Sequence, residues 1–102
     1  MHQHAWESKI QENGCDALAN LVVKNLRNQD LVARAGAIPI IIQAMRQHVL
    51  DPKVHEASCR VLRNLALENV HNQALIAEAG AIPIIVQAKD RNPKFKKLAV
   101  AP

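Results

Sequence analysis

The chain has 102 residues, of which 49% are hydrophobic and 22% are charged, with 13 Lys and Arg against 9 Asp and Glu. This length suits one small domain and argues against a multidomain enzyme, and the composition argues against a disordered chain. No apolar run approaches the roughly 20 residues that a membrane-spanning helix needs, and the first residues lack a signal-peptide pattern. We therefore expect a cytoplasmic protein in a reducing compartment, with a nuclear location left open and no membrane partner.

The net charge of +4 is confined to one end of the sequence. Residues 1–88 carry eight basic and eight acidic side chains, so the whole excess lies in residues 89–102. Only two residues are aromatic, which leaves no set of rings on which nucleic-acid bases could stack. Because phosphate binding by a basic tail alone is weak and salt-sensitive, the sequence disfavours a nucleic-acid partner.

An internal repeat organises the chain. The segment Ala35–Ile41 recurs as Ala79–Ile85, at an offset of 44 residues. Holding that offset from Lys9 to Ala44 aligns 36 positions without a gap, and 20 of them are identical. The sequence therefore contains two copies of one unit, which we place at residues 8–49 and 50–92, followed by the start of a third at 93–102.

Each unit predicts three helices in chain order. Apolar residues at helical spacing predict a long helix at about 8–26 and again at about 52–69, the second opened by Asp51 as N-cap and by Pro52. Short helices follow at about 28–35 and 72–79, each ended by a glycine. A third helix then begins near Pro39 or Pro83. The β-branched run 39–42 alone favours a strand, but its helical neighbours indicate a helix.

The order of these elements resembles the armadillo repeat family. The resemblance rests on the long-helix core Val61–Ala66, the pair Asn72-Gln73 and the segment Ile76–Pro83, with matching residues in the first copy. It implies an all-α, armadillo-type right-handed α-solenoid with three helices per repeat. The sequence resembles a fragment or a designed minimal repeat protein, because two repeats without polar caps are fewer than the family usually has.

The resemblance also implies a peptide-binding groove on the long helices. In that family an Asn on each long helix binds the main chain of an extended peptide, and Asn20 and Asn64 match it; in the importin-alpha subgroup a Trp precedes that Asn by four residues, where this chain has Asp16 and Arg60. Alternatively, the Asn side chains bond neighbouring backbone, and the charges form ion pairs between the repeats. The candidate groove residues are Asn13, Asp16, Asn20, Lys24, Arg60, Asn64 and Glu68.

No constellation of residues indicates catalysis, a cofactor or a metal site. Cys15 and Cys59 occupy equivalent positions on helices that should pack about 8–10 Å apart, which is too far for a disulfide. We expect both to be buried free thiols. The His residues have no Cys or carboxylate partners at a recurring ligand spacing, so we expect a non-enzymatic protein.

Two repeats leave apolar faces at both ends of the stack, and soluble monomers avoid such patches. We therefore expect a protein-interaction or scaffold module that forms homo-oligomers, by stacking of ends or by exchange of tail helices. An alternative is a purely structural, self-assembling repeat protein without a natural ligand. The residues predicted to lie at the associating ends are Ile10, Ile84, Ile85, Phe95 and Leu98.

Overall fold

The computed structural model describes the backbone of residues 2–91 and the side chains of residues 7–87. Within these residues the chain forms six α-helices and no strand, which confirms the all-α prediction. We call α1–α3 the first unit and α4–α6 the second unit. In chain order the helices are α1 (His2–Val22), α2 (Leu26–Arg34), α3 (Ala37–Gln47), α4 (Pro52–Ala66), α5 (Val70–Glu78) and α6 (Ala81–Arg91).

Local signals in the sequence set most of the helix boundaries. The carboxylate of Asp51 accepts a hydrogen bond from the backbone N–H of Lys53 at 3.0 Å, and Pro52 opens α4 behind this cap. Gly36 and Gly80 separate the second and third helix of each unit with backbone φ angles of 84° and 88°. Only glycine adopts this left-handed conformation without a steric penalty, so both glycines act as the predicted helix stops.

The short helices begin earlier than the sequence predicts. Asn25 and Asn69 cap α2 and α5, because their side-chain oxygens accept from the backbone N–H of Asn28 at 2.9 Å and of Asn72 at 3.0 Å. The predicted starts at 28 and 72 are therefore the third helical residue, not the first. The long helices end correspondingly earlier than predicted, at residues 22 and 66.

The apolar core lies between the two units. Helix α1 packs along α4, and α3 packs against both α4 and α6. The buried apolar side chains come from both units and form one cluster; its fully buried members include Val22, Ile42, Met45, Val61 and Leu65. The junction between the units is therefore the main stabilising interface of the chain.

Candidate interaction surfaces

The predicted groove residues lie along α1 and α4 or directly after them. Asn13, Asn20 and Lys24 of the first unit are exposed, and Asp16 is half-buried. In the second unit Arg60 and Glu68 are exposed, whereas Asn64 is buried. The structure thus brings the charged candidates to the surface, while one of the two candidate asparagines belongs to the core.

Asp16 and Arg60, at equivalent positions of the two units, form an ion pair. The guanidinium Nη1 donates a hydrogen bond to the carboxylate Oδ1 across the junction. Both side chains are roughly half exposed, at 40% for Asp16 and 48% for Arg60. An exposed pair of this kind contributes about 0–1 kcal/mol to stability. Its main effect is therefore on the alignment of the two units and not on the strength of their contact.

Asn64 connects the two long helices. Its Nδ2 donates to the backbone carbonyl of Ala19 at 3.1 Å. Its side chain therefore bonds neighbouring backbone, as the alternative interpretation of the sequence has it. The equivalent residue Asn20 is exposed, since the described structure places no helix against that side of α1.

A buried glutamine is the centre of the polar junction. Gln29 is 1% exposed, and its Nε2 donates to the backbone carbonyl of Asn64 at 2.9 Å. Its Oε1 accepts from Nδ2 of Asn69 at 3.1 Å, and its own backbone carbonyl accepts from Nδ2 of Asn72 at 3.3 Å. Because each buried polar group needs a partner, these bonds fix the relative register of the two units.

A second set of hydrogen bonds recurs inside each unit. Asn28 donates to the carbonyl of Leu21 at 2.8 Å, and Asn72 donates to that of Leu65 at 2.9 Å. Gln73 donates to the carbonyl of Ala66 at 3.0 Å. The Asn-Gln pair of each unit therefore closes the corner between its first and second helix, where the last carbonyls of the long helix need donors.

The residues predicted to lie at associating ends fall in three environments. Ile10 is 59% exposed on α1, whereas Ile84 is 8% exposed and belongs to the core, and Ile85 is half-buried. Phe95 and Leu98 lie outside the described residues. On the outer side of α6 the exposed apolar residues are instead Ile82 and Val86, at 60% and 51%.

Alignment of the two copies could have identified Ile82 and Val86 from the sequence. They are equivalent to Ile38 and Ile42, which are 2% and 0% exposed beneath the second unit. Any side chain of α3 that faces the second unit has a counterpart on α6 that faces outward. The alignment identifies these residues only when it is known which side of the third helix meets the next unit.

Both cysteines are free, as the sequence predicts, but the predicted burial is confirmed only for Cys15, since Cys59 is half-buried. Burial raises the pKa of both thiols, and for Cys15 the hydroxyl of Ser58, 3.7 Å from its Sγ, acts in the opposite direction. Because the thiolate is the reactive form, the environment of these residues suits packing and not nucleophilic chemistry.

His55 at the start of α4 is a buried titratable group that sequence analysis does not single out. It is 2% exposed, and neither ring nitrogen has a hydrogen-bond partner in the described structure. Burial lowers its pKa, while the nearby carbonyls of Val49 and His48 oppose this effect. Burial therefore favours the neutral form of the imidazole.

No group of three or more His, Cys, Asp and Glu side chains within residues 7–87 is arranged to hold a metal ion. In the same part of the chain, no helix combines the length and the apolar character needed to cross a membrane.

The described helices define an all-helical protein built from two equivalent three-helix units. The model of a family described as "Spinocerebellar ataxia type 10 protein domain" matches residues 10–99, and the chain belongs to that family. No curated protein and no solved structure matches the sequence.

This match corrects the family inferred from sequence. The identification as an armadillo repeat is wrong, because the family model that matches is a different one. The residues that carried the resemblance have local structural roles here: Gly36 and Gly80 stop helices, and Asn72 and Gln73 donate to the ends of α4. Such roles follow from the geometry of a helical corner, so they do not identify one family.

Proposed function

We propose that the chain is a non-enzymatic protein–protein interaction module that stacks on further copies of itself, end to end, as an α-solenoid. One observation carries the proposal: residues that are buried where the second unit meets the first are exposed at equivalent positions on the outer sides of the pair. We call the outer side of α1 the front face and the outer side of α6, with α5, the rear face.

The front face presents the apolar residues that α4 buries. Leu65 is 0% exposed, but its equivalent Leu21 is 55% exposed. Val54 is likewise 0% exposed, and its equivalent Ile10 is 59% exposed. Because the two units are close copies in sequence, we attribute the lower exposure of Leu65 and Val54 to the unit that precedes α4.

The rear face presents the complementary set. Ile38 and Ile42 are buried beneath the second unit, whereas Ile82 and Val86 are exposed by more than half. Gln29 is buried at the junction, whereas Gln73 is exposed. The two faces are therefore the two halves of an interface that the chain already contains once.

The polar groups also match. In a stacked pair, Gln73 of one copy takes the place of Gln29, so that its Nε2 reaches the carbonyl of Asn20 in the next copy. Asp16 of the next copy meets Arg60 of the first, a pair of opposite sign. Each contact repeats one that joins the units inside the chain. Contacts of this front-to-rear type close into rings or continue as filaments.

The alternative is a purely structural, self-assembling protein that binds no natural ligand.

A second candidate activity is the binding of an extended peptide along the long helices. It is supported by the exposed side chains of Asn20 and Arg60 on the long helices and of Lys24 and Glu68 just after them. The two free thiols suit a reducing, intracellular compartment.

Light scattering over a concentration series tests the stacking. The 11.3 kDa chain should increase in mean mass with concentration. Leu21→Asp, which places a charge on the front face, should stay monomeric, whereas Leu50→Asp, a matched change at a residue 80% exposed in the turn before α4, should behave as the wild type. A wild-type chain that stays monomeric at high concentration would overturn the proposal.

A mixing experiment identifies which faces meet. Leu21→Asp blocks the front face and Val86→Asp blocks the rear face, so each variant alone should be monomeric. Mixed in equal amounts they should form a dimer, in which the intact rear face of Leu21→Asp meets the intact front face of Val86→Asp. This dimer cannot grow, because both of its outer faces are blocked. Dimerisation of either variant alone would instead show a symmetric front-to-front or rear-to-rear contact, contrary to the proposed stack.

A further inference from the structure

The two long helices end in the same unusual way. Lys24 follows α1 and Glu68 follows α4, at equivalent positions, with backbone φ angles of 50° and 53°. Glycine or asparagine normally occupies such left-handed positions after a helix, because a side chain there is sterically disfavoured. Within residues 2–91 the other left-handed positions, 36 and 80, are glycines. At these corners the chain instead carries two long side chains of opposite charge.

Glu68 breaks a second preference. The carboxyl end of a helix carries partial negative charge, so an acidic side chain directly after α4 is electrostatically unfavourable. Neither Lys24 nor Glu68 is relieved by an ion pair among the described side chains. Residues that contradict local preference without a local compensation tend to occur at functional sites.

The two corners border one cavity of about 330 Å³. Lys24 and Glu68 line it together with Leu26, Leu67 and the buried Gln29. Leu26 is 58% exposed and Leu67 is 45% exposed, so apolar surface lies between the two charges. We call this cavity the corner pocket.

We propose that the corner pocket binds an extended segment of another protein with the pattern basic–x–apolar–x–acidic. The basic side chain pairs with Glu68, the apolar side chain enters between Leu26 and Leu67, and the acidic side chain pairs with Lys24. A phosphate-rich ligand fits less well, since Glu68 repels it. The inference rests on the proposed class of interaction module but not on stacking.

The spacing follows from the geometry of strands and packed helices. Alternate residues of an extended chain point to the same side and advance about 3.3 Å per residue, so the first and fifth residues lie about 13 Å apart. Packed helices are about 8–10 Å apart, and the flexible side chains of the charged residues accommodate the difference. Three alternate side chains of an extended ligand can therefore reach Glu68, the apolar surface between Leu26 and Leu67, and Lys24.

Fluorescence anisotropy with three labelled peptides tests the inference. The probe is Gly-Arg-Ser-Leu-Ser-Asp-Gly. Its control, Gly-Asp-Ser-Leu-Ser-Arg-Gly, carries the same label and has the same composition, and differs only in that the two charged residues are exchanged. A third peptide, with Ser in place of Leu, reports on the apolar side chain. We expect measurable binding of the first peptide and at least a several-fold loss for the third.

Charge variants make the test specific to the corner pocket. Lys24→Glu combined with Glu68→Lys keeps the net charge and exchanges the two signs, so the order of preference between the two charged peptides should invert. The matched control exchanges exposed charges elsewhere, Lys53→Glu with Glu78→Lys, and should bind as the wild type. Each exposed charge pair is weak, so we expect a change of about fivefold in the ratio of dissociation constants.

The outcomes separate this inference from the stacking proposal. An unchanged preference in the exchanged variant, or no binding of any peptide by the folded wild type, would overturn the pocket. If the exchanged variant fails to fold by circular dichroism, Glu68→Gln alone should weaken binding of the first peptide, and full binding by that variant would overturn the pocket. The mean mass of every variant is measured in parallel, because loss of stacking with retained peptide binding contradicts only the stack.

Discussion

The two units of this chain are close copies in sequence but occupy different environments. Leu65 is fully buried while Leu21 is 55% exposed, and Ile38 is 2% exposed while Ile82 is 60% exposed. The identity of these residues therefore does not decide their burial; the presence of a neighbouring unit does. Positions that are buried at the junction between the units are therefore exposed on the sides where the described structure places no further unit.

The largest expected effect comes from shortening the buried side chain of Leu65, whose equivalent in the first unit is Leu21. Leu65→Ala should lower the free energy of unfolding by about 2–5 kcal/mol, because it opens a cavity in a packed core. Leu21→Ala should change it by less than about 1 kcal/mol in dilute solution, since that side chain is already half exposed. Urea unfolding at low and high protein concentration checks both, and equal losses would contradict the asymmetry between the units.

Gln29 and Gln73, at equivalent positions, extend the comparison of the two units to polar side chains. Gln29→Ala should cost about 1–3 kcal/mol of folding stability, because it removes the buried donor to the carbonyl of Asn64 and one of the two acceptors of the Asn69 amide. Gln73→Ala should have little effect on folding but should weaken association. Thermal unfolding and light scattering on the same samples separate the two results. A stability loss for Gln73→Ala as large as that for Gln29→Ala would show that the glutamines have the same role in both units.

Acid should weaken the second unit through His55, for which the first unit has Gln11. Because burial lowers the folded-state pKa of His55, the unfolded chain takes up the proton first. The stability contribution is complete above the unfolded pKa of about 6.5 and is lost as the pH falls below it, by at most about 1.4 kcal/mol per pH unit.

Unfolding free energies measured between pH 7.5 and 5 test this effect. The variant His55→Leu removes the titrating group and should flatten the pH dependence, while a His71→Leu control at an exposed position should not. A pH profile that is the same in the wild type and in His55→Leu would exclude His55 as its source.

The smallest effect is expected at the Asp16–Arg60 ion pair. Arg60→Ala should lower the free energy of unfolding by no more than about 1 kcal/mol, with most of the loss absent at high salt. A double-mutant cycle with Asp16→Ala isolates the coupling between the two side chains. Coupling well above this range would mean that the pair holds the units together and does more than register them.

The sequence alone predicts the helices well because their signals are local. Asp51, Pro52, Gly36 and Gly80 act over one turn of helix, and the structure uses each of them as predicted. The starts of α2 and α5 are less accurate, because Asn25 and Asn28 both suit a cap and only the three-dimensional corner decides between them.

The candidate sites depend on packing between units, which the sequence constrains less. Asn20 and Asn64 are the same residue in the same pattern, yet only Asn64 has a neighbouring helix to bond. The family was also inferred wrongly, since the pattern at the corners reflects how any such three helices connect. Lys24 and Glu68 were predicted as groove residues, but the pocket that they border was not, because no glycine marks the left-handed backbone at these positions.

The opposite charges at the two corners have a consequence for the length of a ligand. If copies stack as proposed, Lys24 and Glu68 alternate along the assembly, and a pocket formed between copies has its charges in the reverse order from a pocket within one. Two short ligands in adjacent pockets would then run antiparallel. One long ligand that follows the assembly would instead need charges that alternate in sign once per unit. The spacing between its charges would then have to equal the spacing between successive units of the assembly.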